Sequence, residues 1–175
     1  MNAIRTHALA AVLVAHASLL AAQTPQAPQA PTRPRTGTLV IAGDVATPIT
    51  LTPADLKALP RRTVTMQEDG RAVAYEGVLV GELLKRAGAA SGNDLRGSAV
   101  AAYVVAGAND GYQAVFSVAE LDPLFTGSEI LVADTADGKP LFDYQGPLRL
   151  VAPRDTRAAR SVRMLETLDV VRLRK

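Results

Sequence analysis

The chain has 175 residues, no Cys, no Trp and two His, with 19 basic against 17 acidic side chains. That length suits one domain, and the missing cysteines exclude a disulfide, a thiolate metal ligand supplied by the chain and a cysteine nucleophile. A pI near 9.1 raises nucleic acid or an anionic membrane surface as partners, so the position of the cations decides what the charge means.

Residues 1–22 hold one cation, Arg5, and then an apolar run from Ala8 to Ala22 broken only by His16 and Ser18. The run is shorter than the roughly 20 residues a membrane-spanning helix needs. With the small pair Ala21-Ala22 at its end, it predicts a secretory signal peptide cut after Ala22; an uncleaved anchor is the alternative. Both histidines, His7 and His16, lie inside this segment. The expected mature chain therefore has neither His nor Cys, which excludes Ser–His–Asp, Cys–His and zinc-hydrolase sites. The expected location is periplasmic or secreted, with no membrane insertion after signal cleavage. Residues 23–36 are rich in Gln, Ala, Thr and Pro, with prolines at 25, 28, 31 and 34, and predict an extended linker.

The folded domain is expected over 37–175. Residues 37–148 carry 8 basic and 14 acidic groups, and residues 149–175 carry 8 basic and 3 acidic. The domain is thus near neutral with a basic end. Thr38–Ala42 predicts a first strand. Thr52-Pro53-Ala54-Asp55 opens a short helix, with a capping threonine, proline at the first helical position and a carboxylate in the first turn. Arg62–Glu68 and Arg71–Glu76 flank Asp69-Gly70, a hairpin turn signal. Apolar positions 80, 83, 84 and 87 predict a helix stopped by Gly88. Ser98–Ala106 reads as a buried strand, followed by a turn at Asn109-Asp110-Gly111 and a strand over Tyr112–Phe116. Ser117-Val118-Ala119-Glu120 is a capping box. Strands are expected at Glu129–Thr135, Leu148–Ala152 and Val162–Leu173, with a turn at Asp137-Gly138-Lys139-Pro140. Short strands with small helices between them, without regular alternation, predict an α+β fold with a mixed β-sheet.

The clearest constellation of chemistry-bearing residues is Arg149, Arg154, Arg157, Arg160 and Arg163. Guanidinium forks match phosphate, sulfate and carboxylate oxygens, so the cluster is either an anion site or a set of ion pairs to the acidic body of the domain. Asn109, Asp110 and Tyr112 form a polar loop able to line a pocket. Asp134 and Asp137 straddle a turn and read as solvated. No catalytic residue and no metal ligand set emerges. Nucleic acid is not expected, because aromatics are only 4% of the chain and none interleaves with the arginines.

The order of motifs resembles the oxidoreductase molybdopterin-binding domain, the sulfite-oxidase-type fold. The resemblance rests on Ala42-Gly43-Asp44-Val45 with Leu51-Thr52-Pro53-Ala54-Asp55-Leu56, Tyr75-Glu76-Gly77-Val78-Leu79, Asp110-Gly111-Tyr112, Gly138-Lys139-Pro140-Leu141, and Gly146-Pro147-Leu148-Arg149-Leu150-Val151-Ala152-Pro153 followed by Val162-Arg163. It implies a molybdenum–pterin cofactor whose metal is held by a cysteine just before the aromatic-x-Gly-Val-Leu motif, with the basic segment near the pterin phosphate. The corresponding stretch here, 63–73, offers Met66, Gln67 and Glu68 but no thiol, and the glycine-bearing cofactor loop is replaced by Arg154-Asp155-Thr156-Arg157-Ala158-Ala159-Arg160. The expectation is an exported soluble module without catalysis or cofactor, binding a small anion or a protein partner in the cell envelope. The alternatives are a molybdenum–pterin oxidoreductase with a non-cysteine ligand and a purely structural or partner-docking domain.

Overall fold

The computed structural model describes residues 36–173. The expected signal peptide and the linker up to residue 35 lie outside the described residues. Ten strands and three short helices follow in the order β1 (Leu39–Gly43), β2 (Ile49–Leu51), α1 (Pro53–Lys57), β3 (Arg62–Glu68), β4 (Arg71–Leu79), α2 (Val80–Arg86), β5 (Ala102–Ala108), β6 (Gln113–Ser117), α3 (Val118–Leu121), β7 (Leu131–Ala136), β8 (Lys139–Pro140), β9 (Arg149–Val151) and β10 (Leu165–Arg172). The first sheet runs β2-β1-β10-β5-β6, and β1 lies parallel to β10 while the other neighbours are antiparallel. The second sheet runs β3-β4-β7-β8, with β9 also paired to β7, all antiparallel. The result is the expected α+β fold with a mixed sheet.

Local chemistry accounts for much of this. Thr52 and Asp55 complete a reciprocal capping box at α1, and Ser117 and Glu120 complete another at α3, each satisfying amide donors that a helix start leaves open. Asp69 and Gly70 both take positive φ, 48° and 77°, the type I′ turn whose twist matches the β3–β4 pair. No helix among the described residues is long and apolar enough to cross a membrane.

Some expected boundaries move. Gly97–Ala101 is a 3-10 turn and the strand begins at Ala102, because Gly97 at φ 58° tightens the backbone and Ser98, Ala99 and Ala101 lack the branched side chains that favour extension. The last strand begins at Leu165 rather than Val162, since Met164 at φ 51° interrupts the extended chain. Strand β2, only three residues long, carried no signal of its own. The turn after β7 is itself a small hairpin, with β8 pairing Pro140 to Thr135.

Two clusters form the core. The larger joins β1, β5, β6 and β10 to the three helices and to one face of β7 and β9, through Val132, Leu148 and Leu150. The smaller lies on the opposite face of the second sheet, where Val64, Met66, Val73, Tyr75, Leu131, Ala133, Leu141 and Val151 pack together. Strand β9 is buried on both faces, so its period of two sends Leu150 to the larger core and Arg149 and Val151 to the smaller. That alternation places a guanidinium inside the protein.

Candidate functional site

Arg149 is 0% exposed. Its Nη1 donates to the Tyr75 hydroxyl at 2.6 Å and to Gln145 Oε1 at 2.8 Å, and its Nη2 donates to Glu68 Oε1. Tyr75 in turn donates to Glu68 Oε2 at 2.9 Å, and the guanidinium stands 5.0 Å from the Tyr75 ring centroid. Glu68, Tyr75 and Arg149 come from β3, β4 and β9 and share one face of the second sheet. Burial pushes the Glu68 carboxyl up, but the bonds from Arg149 and Tyr75 and the charge of Arg149 outweigh it and hold it below the ordinary value. Burial, reinforced by the Glu68 carboxylate, pushes Tyr75 up to about 12, so the phenol stays protonated and donating. Each carboxylate oxygen has a charge-assisted or hydroxyl donor, which closes the cluster on itself. Only Arg149 Nε lacks a partner.

Two adjoining cavities open around Tyr144. One, of about 460 Å³, is lined by Glu68, Tyr75 and Gln145 with Arg71, Asp137 and Lys139 at its rim. The other, also of about 460 Å³, is lined by Asp110, Tyr112, Tyr144, Ser161 and Arg163. The Arg163 guanidinium lies 5.1 Å from the Tyr144 ring centroid. Tyr112 donates its hydroxyl to the Ala159 carbonyl at 2.6 Å, and its amide donates to Asp110 Oδ1 at 3.0 Å. Asn109 Nδ2 donates to Glu166 Oε1 at 2.6 Å. The polar loop 109–112 is thereby fastened against the basic segment.

The five arginines do not share one cleft. Arg149 is internal. Arg160 makes a two-pronged contact with Asp155, at 2.9 and 2.8 Å, adds Glu120 at 3.1 Å, and stacks 4.6 Å from the Phe116 ring centroid. Arg154 borders the same small recess as Arg160, Arg157 is exposed beside the turn, and Arg163 lines the Tyr144 cavity. Asp134 is not solvated as expected: Arg61 donates to its two oxygens at 3.0 and 2.5 Å. Asp137 accepts from Arg71 at 2.9 Å and from the Ala74 amide at 2.9 Å. Sequence reasoning missed Tyr144 and the joint role of Glu68 and Tyr75. The signal for Tyr75 was its place in the Tyr-Glu-Gly-Val-Leu motif, but nothing local linked it to Arg149.

The thiolate that the molybdenum–pterin group takes from a polypeptide has no counterpart in this donor set. In the stretch 63–73, Met66 is buried with its sulfur accepting the Ser161 hydroxyl at 3.4 Å, and both oxygens of Glu68 are engaged by Arg149 and Tyr75. Among the described residues no three His, Cys, Asp or Glu side chains gather as a metal cluster. These residues do not fit a thiolate-anchored molybdenum centre.

A search of the curated proteins gave no match. Among solved structures, the sulfane dehydrogenase SoxCD from Paracoccus pantotrophus shares the fold with a TM-score of 0.62 at 22% identity, over 78% of this chain and 38% of that chain. This chain therefore spans well under half the length of that relative. The family profile of the oxidoreductase molybdopterin binding domain matches residues 25–175. With the sheet order, the Gly146–Arg149 turn into β9 and this match over most of its length, the chain belongs to the oxidoreductase molybdopterin-binding domain family.

Proposed function

We propose that this chain is an exported, non-catalytic binding module built on the molybdopterin-binding fold, and that it takes a small anion beside Arg163, Tyr112 and Tyr144. The observation that carries the non-catalytic reading is the closed Glu68–Tyr75–Arg149 cluster. In the stretch where relatives place a metal-binding thiol, this chain has a carboxylate already committed to a buried arginine and a phenol. Support for the anion comes from Arg163, an exposed cation with no ion-pair partner among the described residues, poised on an aromatic ring at the mouth of a cavity. Arg149 and Arg160 do not serve, because their charges are met internally.

Family membership favours one competing reading, a molybdenum–pterin oxidoreductase whose metal takes a non-cysteine ligand. Thermal melting in phosphate and in sulfate tests the anion site. A bound anion at a hundredfold excess over its Kd adds about 2.7 kcal/mol, a rise of about 9 °C in Tm for a domain of this size. Arg163→Ala abolishes that rise, while Arg157→Ala reduces it far less. No rise for any tested anion would assign the basic segment a purely structural role.

A further inference from the structure

The loop between β8 and β9 carries two aromatic rings that the described domain leaves in water. Phe142 is 77% exposed, the most of any large hydrophobic residue among those described, and Tyr144, with Arg163 on its ring, is still 54% exposed. Apolar surface of that size is stabilised by a cover. Both rings line the cavity of about 460 Å³ that Pro140 and Leu141 also line, so the loop offers an aromatic groove rather than an isolated ring.

The chain enters the domain against this same loop. A Cβ on Gly37 would stand 3.4 Å from Pro147 Cγ, and a Cβ on Gly146 would stand 2.6 Å from the Leu141 carbonyl carbon. The first residues of the domain therefore touch Pro147, and Gly146-Pro147 touches the start of the Phe142 loop. Just before this entry point come prolines at 25, 28, 31 and 34. Polyproline II has three residues per turn and a rise of about 3.1 Å, so that spacing puts all four on one face, with Pro34 about 9 Å and Pro31 about 19 Å from Gly37. A row of prolines is what an aromatic-lined groove takes, because ring packs on ring and the extended backbone has little freedom left to lose. Attachment selects whose prolines these are. A tether of a few residues holds them beside the groove at an effective concentration in the millimolar range, which favours the chain's own segment over any separate one.

We infer that residues 25–35 fold back on their own domain as a polyproline II strip, with Pro31 and Pro34 packed on Phe142 and Tyr144, and so wall the groove beside the Tyr144 cavities. This docking needs no anion beside Arg163, so it stands or falls apart from the function proposed above.

Trypsin digestion and NMR of the full chain test this. In an Arg33→Gln background Arg35 is the single tryptic site of residues 23–35, so the rate of cutting there reads how long the segment stays docked, with cuts inside the domain as the control for unfolding. Phe142→Ala speeds the cut at Arg35 about tenfold, Pro31→Gly with Pro34→Gly speeds it about as much, and the three changes together add nothing further. The proline changes lie outside the folded domain, so they read the contact even where Phe142→Ala disturbs its loop. Proton cross-relaxation joins the Pro31 and Pro34 rings to those of Phe142 and Tyr144 within one molecule. The inference is overturned by an unchanged segment that is cut as fast as the glycine variant, or by missing cross-relaxation. Cross-relaxation found only between isotope-labelled and unlabelled copies also overturns it, since the groove then belongs to the segment of a second chain.

Discussion

Glu68 and Arg149 are 81 residues apart in sequence, and each looks ordinary where it stands. One is a strand-end carboxylate before a turn, the other a strand-start arginine after a proline. The fold makes them partners, burying the guanidinium completely and the carboxylate to within 18% of exposure. Removing one member of such a pair leaves the other charge uncompensated, which costs about 3–5 kcal/mol. Glu68→Gln should lower stability by roughly that amount in denaturant titration, and adding Arg149→Met should recover part of the loss, because the stranded charge goes with it. Acid should act on the same charge in the unchanged protein. Since the folded carboxyl is held below its ordinary 4.5, its contribution is present above that value and disappears as the pH falls through the lower folded value. Stability that stays flat below pH 4.5 in the wild type and in Glu68→Gln alike would remove this role.

At the scale of elements, local rules carried the sequence furthest where the chemistry is short-ranged. Both capping boxes, the Asp69-Gly70 hairpin and helix α2 were legible because each needs only residues within a few positions of one another. The arrangement of the basic segment was less so: five arginines close in sequence look like one patch, but β9 turns the first inward, Asp155 and Glu120 take the fourth, and, of the five, only the last faces the Tyr144 cavity. Gly77 shows another fact that sequence alone hides. It sits at the register shift between β4 and β7, where a Cβ would come within 2.0 Å of the Val132 carbonyl oxygen. Gly77→Ala must therefore force the two central strands of the second sheet apart. We expect a loss of about 3 kcal/mol or more and faster hydrogen exchange at Val78 and Val132, both read by mass spectrometry and denaturant titration; an unchanged midpoint would contradict the close approach.

For the whole molecule, the net charge of the sequence was a poor guide and the order of its motifs a good one. Arg5, Arg33 and Arg35 contribute to the basic balance from outside the domain over 37–175, within which 16 basic and 17 acidic groups nearly cancel. The α+β architecture followed from short strands with small helices between them, and the family from the resemblance its motifs carry. The missing thiol in 63–73 was legible as well; the meeting of Glu68, Tyr75 and Arg149 was not, because it depends on which strands come together across the smaller core. The central claim is that the Glu68–Tyr75–Arg149 cluster has replaced a metal-binding centre. Its most direct test is the molybdenum content, by mass spectrometry, of the protein purified from its native compartment, with pterin measured by fluorescence after oxidation. The account predicts molybdenum and pterin far below one equivalent per chain; a near-stoichiometric content of both would contradict it.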